Sequence, residues 1–257
     1  MVERVVEKAL QSMEGQFSIV LKELDTGRLL YSRAADRQLP SASTIKILIM
    51  AEAYNQAARG VIDLCERIRV KKEDKVEFSI ITDMNTDEYT LRDLLVLMMT
   101  ISDNTATNIL IDRLGMEQIN RLGTDIGLAD TRLCRKMMDF EAARLGRQNV
   151  TSPSDMLKLM EKLYRGELVS KEACGEMLGI MEIVVEKDCM IRSLPPDIKV
   201  AHKTGELDNL NHDIGIVFTG KKDYILGIFA TELRDNIYGR ECIARLSKEI
   251  FDEMVQV

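Results

Sequence analysis

The sequence predicts an α/β fold of the α+β type, in which an antiparallel five-stranded sheet is built from both ends of the chain and an all-helical domain is inserted between them. Two observations lead to this prediction. Segments with strand character and turn signals lie near both termini, and the long middle of the chain has apolar residues at helical spacing. Terminal strands that share one sheet leave the intervening helices to form a domain of their own. We therefore expect an α/β domain at 1–40 plus 195–257 and a helical domain at 41–194.

The N-terminal elements are a helix and a hairpin. Apolar residues at helical spacing run over 2–14 and stop at Gly15, which predicts an amphipathic helix that flanks the sheet. The strand segments 17–24 and 28–31 follow, and between them Gly27 supplies the positive φ that a tight turn needs. These two segments form the N-terminal part of the predicted sheet.

Helices follow from about residue 43 to residue 185, and several of their ends can be named. Thr90–Asp93 and Ser152–Asp155 both fit a capping box, the second with a proline in the first turn of its helix. Gly115 and Gly166 are expected to end helices.

Strand structure returns near the C-terminus. The segments 198–202, 214–219 and 224–230 are predicted strands, with 220–223 as a hairpin turn between the last two. A final helix over about 239–255 closes the chain and flanks the sheet.

The composition is that of a globular protein. Of the 257 residues, 46% are apolar and 30% are charged. Acidic residues outnumber basic ones by 42 to 35, which gives a net charge of −7, and the two signs are interspersed along the chain. This pattern excludes the basic patch of a nucleic-acid-binding protein. We expect a monomer whose partner is a small-molecule substrate.

Neither a metal nor an organic cofactor is indicated. The five cysteines are scattered and form neither a disulfide framework nor a CxxC pair. Two histidines, His202 and His212, are too few for a convincing metal site. The cysteines lie at Cys65, Cys134, Cys174, Cys189 and Cys242.

No targeting or membrane segment is recognised. The first eight residues mix charge with apolar side chains and lack the apolar core of a secretory signal. No segment reaches the roughly 18 uncharged apolar residues of a membrane span. The expected location is the cytoplasm for the sequence as written, or outside it if a signal segment has been removed.

The first candidate for chemistry is the pair Ser43 and Lys46. The two residues open a strongly apolar helical stretch, so that Lys46 lies about one helical turn beyond Ser43 on the same face, in buried surroundings. Burial lowers the pKa of an ammonium group, and the neutral amine can then take a proton from the hydroxyl. The alternative is that Ser43 caps the helix and Lys46 reaches the surface. A chain of this length contains about one SxxK by chance, so this motif alone decides little.

Two rarer tripeptides support the catalytic interpretation. Ser102-Asp103-Asn104 lies between two helical runs, where a hydroxyl and an amide can face a cleft, although Asp103 can also be a plain helix cap. Lys203-Thr204-Gly205 follows the strand 198–202, where the lysine and the threonine can line the sheet edge. An ordinary turn at the end of a strand is its alternative.

In this order and with these separations, SxxK, SDN and KTG resemble the serine β-lactamases of class A and the related penicillin-binding proteins. The resemblance covers nearly the whole chain and includes the split sheet with its inserted helical domain. It implies a β-lactamase/transpeptidase-like fold and a serine hydrolase that forms an acyl-enzyme.

The resemblance also implies roles for individual residues. Ser43 is the nucleophile, Lys46 activates it, and Ser102 relays a proton to the leaving nitrogen. Asn104 holds the substrate's side-chain amide. Lys203 polarises Ser102. Lys203 and Thr204 bind the substrate carboxylate, and Gly205 belongs to the same substrate-binding segment. The backbone N–H groups of Ser43 and Glu206 form the oxyanion hole.

The chain departs from the family at the step that releases the acyl group. Alignment of Leu133 and Arg135 with the entry of the family's loop places Met137 where a deacylating glutamate is expected. Asp139 and Glu141 are nearby carboxylates that either position water or are surface charges of a short helix. Without a placed base, acylation occurs while deacylation stalls.

A second departure follows the KTG motif. His212 falls close to the place of an arginine that supports carboxylate binding in the family, so it either replaces that arginine weakly or is a surface histidine. The role of His212 is left open at this point.

Three functions follow. The first is acyl transfer from a β-lactam or related amide to Ser43 followed by hydrolysis, as in a class A β-lactamase. The second is a D-alanyl peptidase, amidase or esterase on the same site with slow deacylation. The third, of another class, is a non-catalytic penicillin-binding module, which the intact set of catalytic residues disfavours.

Overall fold

The structure is a computed structural model that describes residues 2–256. Its main sheet has five strands, all antiparallel, in the order β2-β1-β9-β8-β7. The strands are β1 (Gln16–Glu23), β2 (Leu29–Arg33), β3 (Leu39–Pro40), β4 (Arg67–Arg69), β5 (Glu88–Thr90), β6 (Val150–Thr151), β7 (Lys199–Leu207), β8 (Leu210–Phe218) and β9 (Tyr224–Thr231). The predicted fold class is confirmed, because strands from both ends of the chain build one sheet.

Most of the chain between β2 and β7 is helical, and two small strand pairs, β3–β6 and β4–β5, interrupt it. The helices are α1 (Val2–Leu10), α2 (Lys46–Ala58), α3 (Leu91–Thr100), α4 (Asn104–Leu114), α5 (Met116–Asp125), α6 (Phe140–Arg144), α7 (Pro153–Arg165), α8 (Lys171–Glu182) and α9 (Asn236–Gln256). None of the helices described in residues 2–256 has both the length and the apolarity needed to cross a bilayer. The division into domains at 1–40 plus 195–257 and 41–194 stays a prediction.

The sheet has an apolar cluster on each face. One cluster joins the sheet to the inserted helices and has α2 at its centre, with almost every side chain of that helix buried. The other lies between the sheet and the terminal helices α1 and α9. The two-sided burial explains why β9 reads as a nearly continuous apolar segment and why all but the last residue of β8 are buried, including the polar Asn211, His212 and Asp213.

Local signals placed several element ends correctly. Thr90 caps α3 in a reciprocal capping box with Asp93, and Gly166 ends α7 in the left-handed conformation. Gly115 ends α4 with a φ of 84°, and Gly27 turns the first hairpin with a φ of 71°.

Four expectations about elements are corrected. The N-terminal helix ends at Leu10, because residues 11–15 form a turn into β1. The final helix begins at Asn236 and not near residue 239. Strand β7 does not stop at residue 202 but continues to Leu207, because the segment pairs with β8 over its whole length.

The fourth correction concerns the second capping box. Ser152 accepts a hydrogen bond from the Asp155 amide, as a cap does. The carboxylate of Asp155 does not reach back to Ser152, because it accepts hydrogen bonds from the amides of Ala129 and Asp130 and from the hydroxyl of Thr131. Asp155 thereby fixes the start of the loop that leads to Met137.

Candidate active site

Ser43 lies in a single turn of 3-10 helix, Ala42–Ile45, just before α2. The sequence placed Ser43 at the start of the α-helix itself, whereas α2 begins at Lys46. Ser41 holds this turn, because its carbonyl accepts hydrogen bonds from the amide and the hydroxyl of Thr44. The Ser41 amide in turn donates to the carbonyl of Asn149. The partly buried Ser43 is therefore held between α2 and the loop that ends at β6.

Strand β7 passes directly over this turn. A Cβ atom at Gly205 would lie 3.0 Å from the Cβ of Ala42 and 3.1 Å from the backbone nitrogen of Ser43. Any side chain at position 205 would therefore push the strand away from the turn. The glycine lets the backbone of residues 205–206 approach the Ser43 amide, as the expected oxyanion hole requires.

Lys46 is fully buried and is bonded to the SDN segment. Its Nζ donates to the carbonyl of Ser102 at 2.7 Å, to the hydroxyl of Ser102 at 3.1 Å and to Oδ1 of Asn104 at 3.0 Å. A charged Lys46 can donate to all three oxygens, whereas a neutral amine has two N–H bonds and a lone pair that can accept from the hydroxyl of Ser102. Among the hydrogen bonds of residues 2–256 none involves the hydroxyl of Ser43, so the expected meeting of Ser43 and Lys46 is not seen as a hydrogen bond.

The surroundings of Lys46 favour its neutral form. Burial lowers the pKa of Lys46 well below its ordinary value, and the positive charge of Lys203 lowers it further. The carboxylates of Glu186 and Asp103 act in the opposite direction but are outweighed. A buried lysine with a lowered pKa that contacts a serine hydroxyl can act as a proton acceptor at a lower pH than an exposed lysine can.

Asp103 orients the residues on either side of it. Its carboxylate caps α4 by accepting from the amide of Ala106, and it also accepts from the Ser79 hydroxyl and the Ile81 amide. Ser102 adopts a left-handed φ of 59° at this bend. The bend directs both Ser102 and Asn104 to Lys46, so the cap that the sequence offered as an alternative is also what positions the site.

Lys203 and Thr204 lie inside β7, at the edge of the sheet. Lys203 is fully buried, and its Nζ donates to the carbonyl of Thr204 at 3.1 Å. Burial lowers the pKa of Lys203, and the negative charges of Glu186 and Asp213 oppose that change. In the described part of the chain no hydrogen bond joins Lys203 to Ser102.

Glu186 is a site residue that the sequence did not reveal. It follows α8 on the connection to β7, and its carboxylate accepts a hydrogen bond from the hydroxyl of Thr204. Position 186 belongs to none of the three motifs and lies in a loop without a periodic pattern, so no signal in the sequence distinguishes it from other surface glutamates.

The loop after α5 carries Met137 and is held to α4. The amide of Met137 donates to Oδ1 of Asn108 at 2.7 Å, and Nδ2 of Asn108 donates back to the carbonyl of Met137 at 3.1 Å. Asn108 lies four residues after Asn104 on the same face of α4. The backbone of position 137 is therefore fixed one helical turn from the residues that bind Lys46, and its side chain is apolar and buried.

In the part of the chain that the structure describes, neither nearby carboxylate forms a hydrogen bond with Met137. Asp139 is exposed and caps α6 by accepting from the amide of Ala142. Glu141 is exposed on α6. This arrangement matches the alternative in which both are surface charges of a short helix.

His212 differs from both expectations. It is fully buried against Phe229, with a ring distance of 4.7 Å, and its Nε2 lies 2.9 Å from the carbonyl of Pro40. Burial lowers the pKa of His212 to about 4, so the ring is neutral near pH 7 and cannot replace a guanidinium. Glu206 is paired instead with Arg240 of α9 at 2.7 Å.

Comparison with known proteins gives consistent results. The family model described as the beta-lactamase enzyme family matches residues 1–254. The curated β-lactamase BRO-1 of Moraxella catarrhalis is 25% identical over 240 residues, which cover 88% of this chain and 76% of that protein.

Solved structures give the same result. A PBP-A mutant, solved as an acyl-enzyme complex with penicillin G, is 26% identical with a TM-score of 0.89, over 100% of this chain and 96% of that one. An ancestral class A β-lactamase has a TM-score of 0.91 over 98% of this chain and 100% of that one; at 24% identity this likeness shows the fold.

Proposed function

The chain belongs to the beta-lactamase enzyme family, and from this premise we propose that it acts on β-lactams or related amides by forming an acyl-enzyme on Ser43. It is a hydrolase of the β-lactamase type. The observation that carries the proposal is the buried Lys46, whose Nζ bonds the hydroxyl of Ser102 and whose pKa is strongly lowered.

The acylation step assigns one task to each residue. The Oγ of Ser43 attacks the amide carbonyl carbon and loses its proton to the neutral amine of Lys46. The amides of Ser43 and Glu206 stabilise the oxyanion that forms. The C–N bond then breaks, and the leaving nitrogen takes a proton from the hydroxyl of Ser102, which Lys46 reprotonates. The 3.1 Å contact between Lys46 and Ser102 supports this relay.

Release of the acyl group requires an activated water molecule. A carboxylate usually supplies the base for such a step, and position 137 carries a methionine whose thioether cannot accept a proton near neutral pH. We infer that acylation is efficient and that deacylation is slow, so that the acyl-enzyme persists for minutes or longer.

A second candidate is a D-alanyl peptidase, amidase or esterase that uses the same residues. The apolar and buried Met137 favours it, because an enzyme whose acyl group passes to an acceptor other than water has no need of a base at that position. The similar mutant of PBP-A was solved as an acyl-enzyme complex with penicillin G, which supports an acyl-enzyme for either candidate.

Labelling with a fluorescent penicillin tests the proposal. The purified protein is mixed with the probe, and intact-mass spectra are recorded from seconds to hours, with Ser43→Ala in parallel. Lasting label on Ser43 supports acylation with slow release. Rapid loss of label with turnover would mean that deacylation has its own base, and absence of label would refute the acyl-enzyme proposal.

A further inference from the structure

A carboxylate of the protein itself is bonded to Thr204, a residue that is expected to bind an anion. Glu186 lies on the connection between α8 and β7 and is exposed, yet its carboxylate is bonded to the hydroxyl of the buried Thr204. Thr204 follows Lys203, and in the family these two residues bind the carboxylate of the substrate. The hydroxyl that would receive that carboxylate is therefore already in use.

The charges around Thr204 also make Glu186 the carboxylate that acts on Lys203. Among the negative charges that raise the pKa of Lys203, Glu186 has a larger effect than Asp213. Glu186 also raises the pKa of Lys46. The carboxylate of Glu206 is neutralised by Arg240 at 2.7 Å. Glu186 thus balances the positive charge of Lys203, which an incoming anion would otherwise use.

We infer that Glu186 determines specificity by excluding a carboxylate from the Thr204 end of the cleft, so that the preferred substrates are β-lactams or amides with a neutral group at that place. This inference rests on the proposed function, because it concerns the same site. An exposed side chain can be displaced, so Glu186 weakens the binding of anions and does not block the cleft.

Two physical effects produce this selection. The hydroxyl of Thr204 has a single hydrogen, so it cannot donate to Glu186 and to a substrate carboxylate at once. Two carboxylates that share a site also repel each other. A neutral ester or amide does not meet this repulsion, and because it carries no charge to be balanced it can lie beside Thr204 while Glu186 keeps its hydrogen bond.

The experiment compares benzylpenicillin with its methyl ester, which differ only in the charge of the carboxyl group. Second-order acylation rates are measured for the unmutated protein and for Glu186→Gln. We expect Glu186→Gln to raise the rate with benzylpenicillin about tenfold or more and to change the rate with the ester less than threefold. Equal changes for both substrates, or a loss with benzylpenicillin, would overturn the inference.

Asp188→Asn is the matched control for net charge. Asp188 is exposed two residues away, and its side chain has no hydrogen bond or ion pair among those of residues 2–256. The same charge change at position 188 should leave the ratio of the two rates within twofold. A shift in that ratio as large as that of Glu186→Gln would show that general charge, and not the contact with Thr204, selects the substrate.

Binding without chemistry separates this inference from the proposed function. In a Ser43→Ala background, calorimetric Kd values for benzylpenicillin and its methyl ester are measured with and without Glu186→Gln. Tighter binding of benzylpenicillin alone in the double variant supports the inference even if no substrate acylates Ser43, in which case only the proposed acyl-enzyme fails. An unchanged ratio of the two Kd values would refute the inference whatever the acylation result.

Discussion

Two neighbouring turns of α4 position residues for the two expected steps of the reaction, acylation and deacylation. On the first turn, Asn104 and the preceding Ser102 accept hydrogen bonds from a buried lysine, Lys46. On the next turn, Asn108 holds the backbone of Met137 by two hydrogen bonds, and the side chain at position 137 is an apolar thioether. The region proposed for acylation is polar, whereas the region expected to activate water is apolar.

The difference shows that backbone position and side-chain chemistry are fixed separately. Asn108 bonds only main-chain atoms of Met137, so these two hydrogen bonds do not depend on the identity of the side chain at position 137. Each of these buried hydrogen bonds contributes about 1 kcal/mol to stability, and the loop therefore keeps its path without a catalytic group. A fold of this kind can retain the first chemical step while the second is slow.

Ser43→Ala should abolish acylation entirely. The hydroxyl is the expected nucleophile, and alanine leaves the 3-10 turn intact because the hydrogen bonds of that turn are made by Ser41 and Thr44. Intact-mass spectrometry with benzylpenicillin should show no adduct, while the thermal midpoint stays close to that of the unmutated protein. Ser193→Ala, at an exposed serine, is the control. A full adduct on another residue in Ser43→Ala would remove the basis of the acylation scheme.

Lys46→Ala should slow acylation by several orders of magnitude, because the proposed scheme makes Lys46 and Ser102 a unit with Ser43. Lys46→Arg should be almost as slow, since a guanidinium keeps its proton and cannot act as a base. Stopped-flow acylation rates measure both effects. Near-normal acylation by Lys46→Arg would show that Lys46 supplies only positive charge.

The pH dependence of acylation has a definite sign. Because burial lowers the pKa of Lys46, its amine becomes neutral at a lower pH than a solvent-exposed lysine would. The acylation rate should therefore fall as pH drops through this lowered pKa and should already be high well below the ordinary pKa of lysine. A rate that rises only as pH approaches the ordinary value would contradict a neutral Lys46.

The residues proposed for acylation could be identified from the sequence because they belong to short motifs whose residue types indicate a chemistry. Ser43, Ser102 and Lys203 belong to patterns whose order and spacing indicate one cleft, and the capping signal of Asp103 also placed the start of α4. The strands and helices followed from periodicity and from turn residues such as Gly27.

Long-range contacts could not be predicted in this way. His212 is buried because its ring packs on Phe229 and faces the carbonyl of Pro40, which lies 172 residues earlier in the chain. The continuation of β7 through Gly205 depends on pairing with β8, which outweighs the turn character of that tripeptide. The bond from Thr204 to Glu186 joins a motif to a loop that has no pattern.

Met137→Glu tests whether the lack of a carboxylate at position 137 is the only reason that release of the acyl group is slow. The two bonds from Asn108 should hold the backbone as before, so the new carboxylate starts from a fixed position. We expect the lifetime of the benzylpenicillin adduct to shorten about tenfold or more, as general base catalysis by a placed carboxylate provides. Met137→Gln has the same length but no base and should leave the lifetime within twofold. Equal effects of Glu and Gln would mean that polarity, and not a base, limits release.

The smallest effect is expected for the two carboxylates that follow Met137 in the chain. Asp139→Asn keeps a good helix cap on α6, and Glu141→Gln changes an exposed side chain, so stability should change by less than about 0.5 kcal/mol in each. Because neither carboxylate is bonded toward position 137, the adduct lifetime should stay within twofold, measured by intact-mass spectrometry after removal of free penicillin. A lifetime lengthened tenfold in either variant would identify that carboxylate as the base for deacylation and would place the catalytic water on the α6 side of the loop.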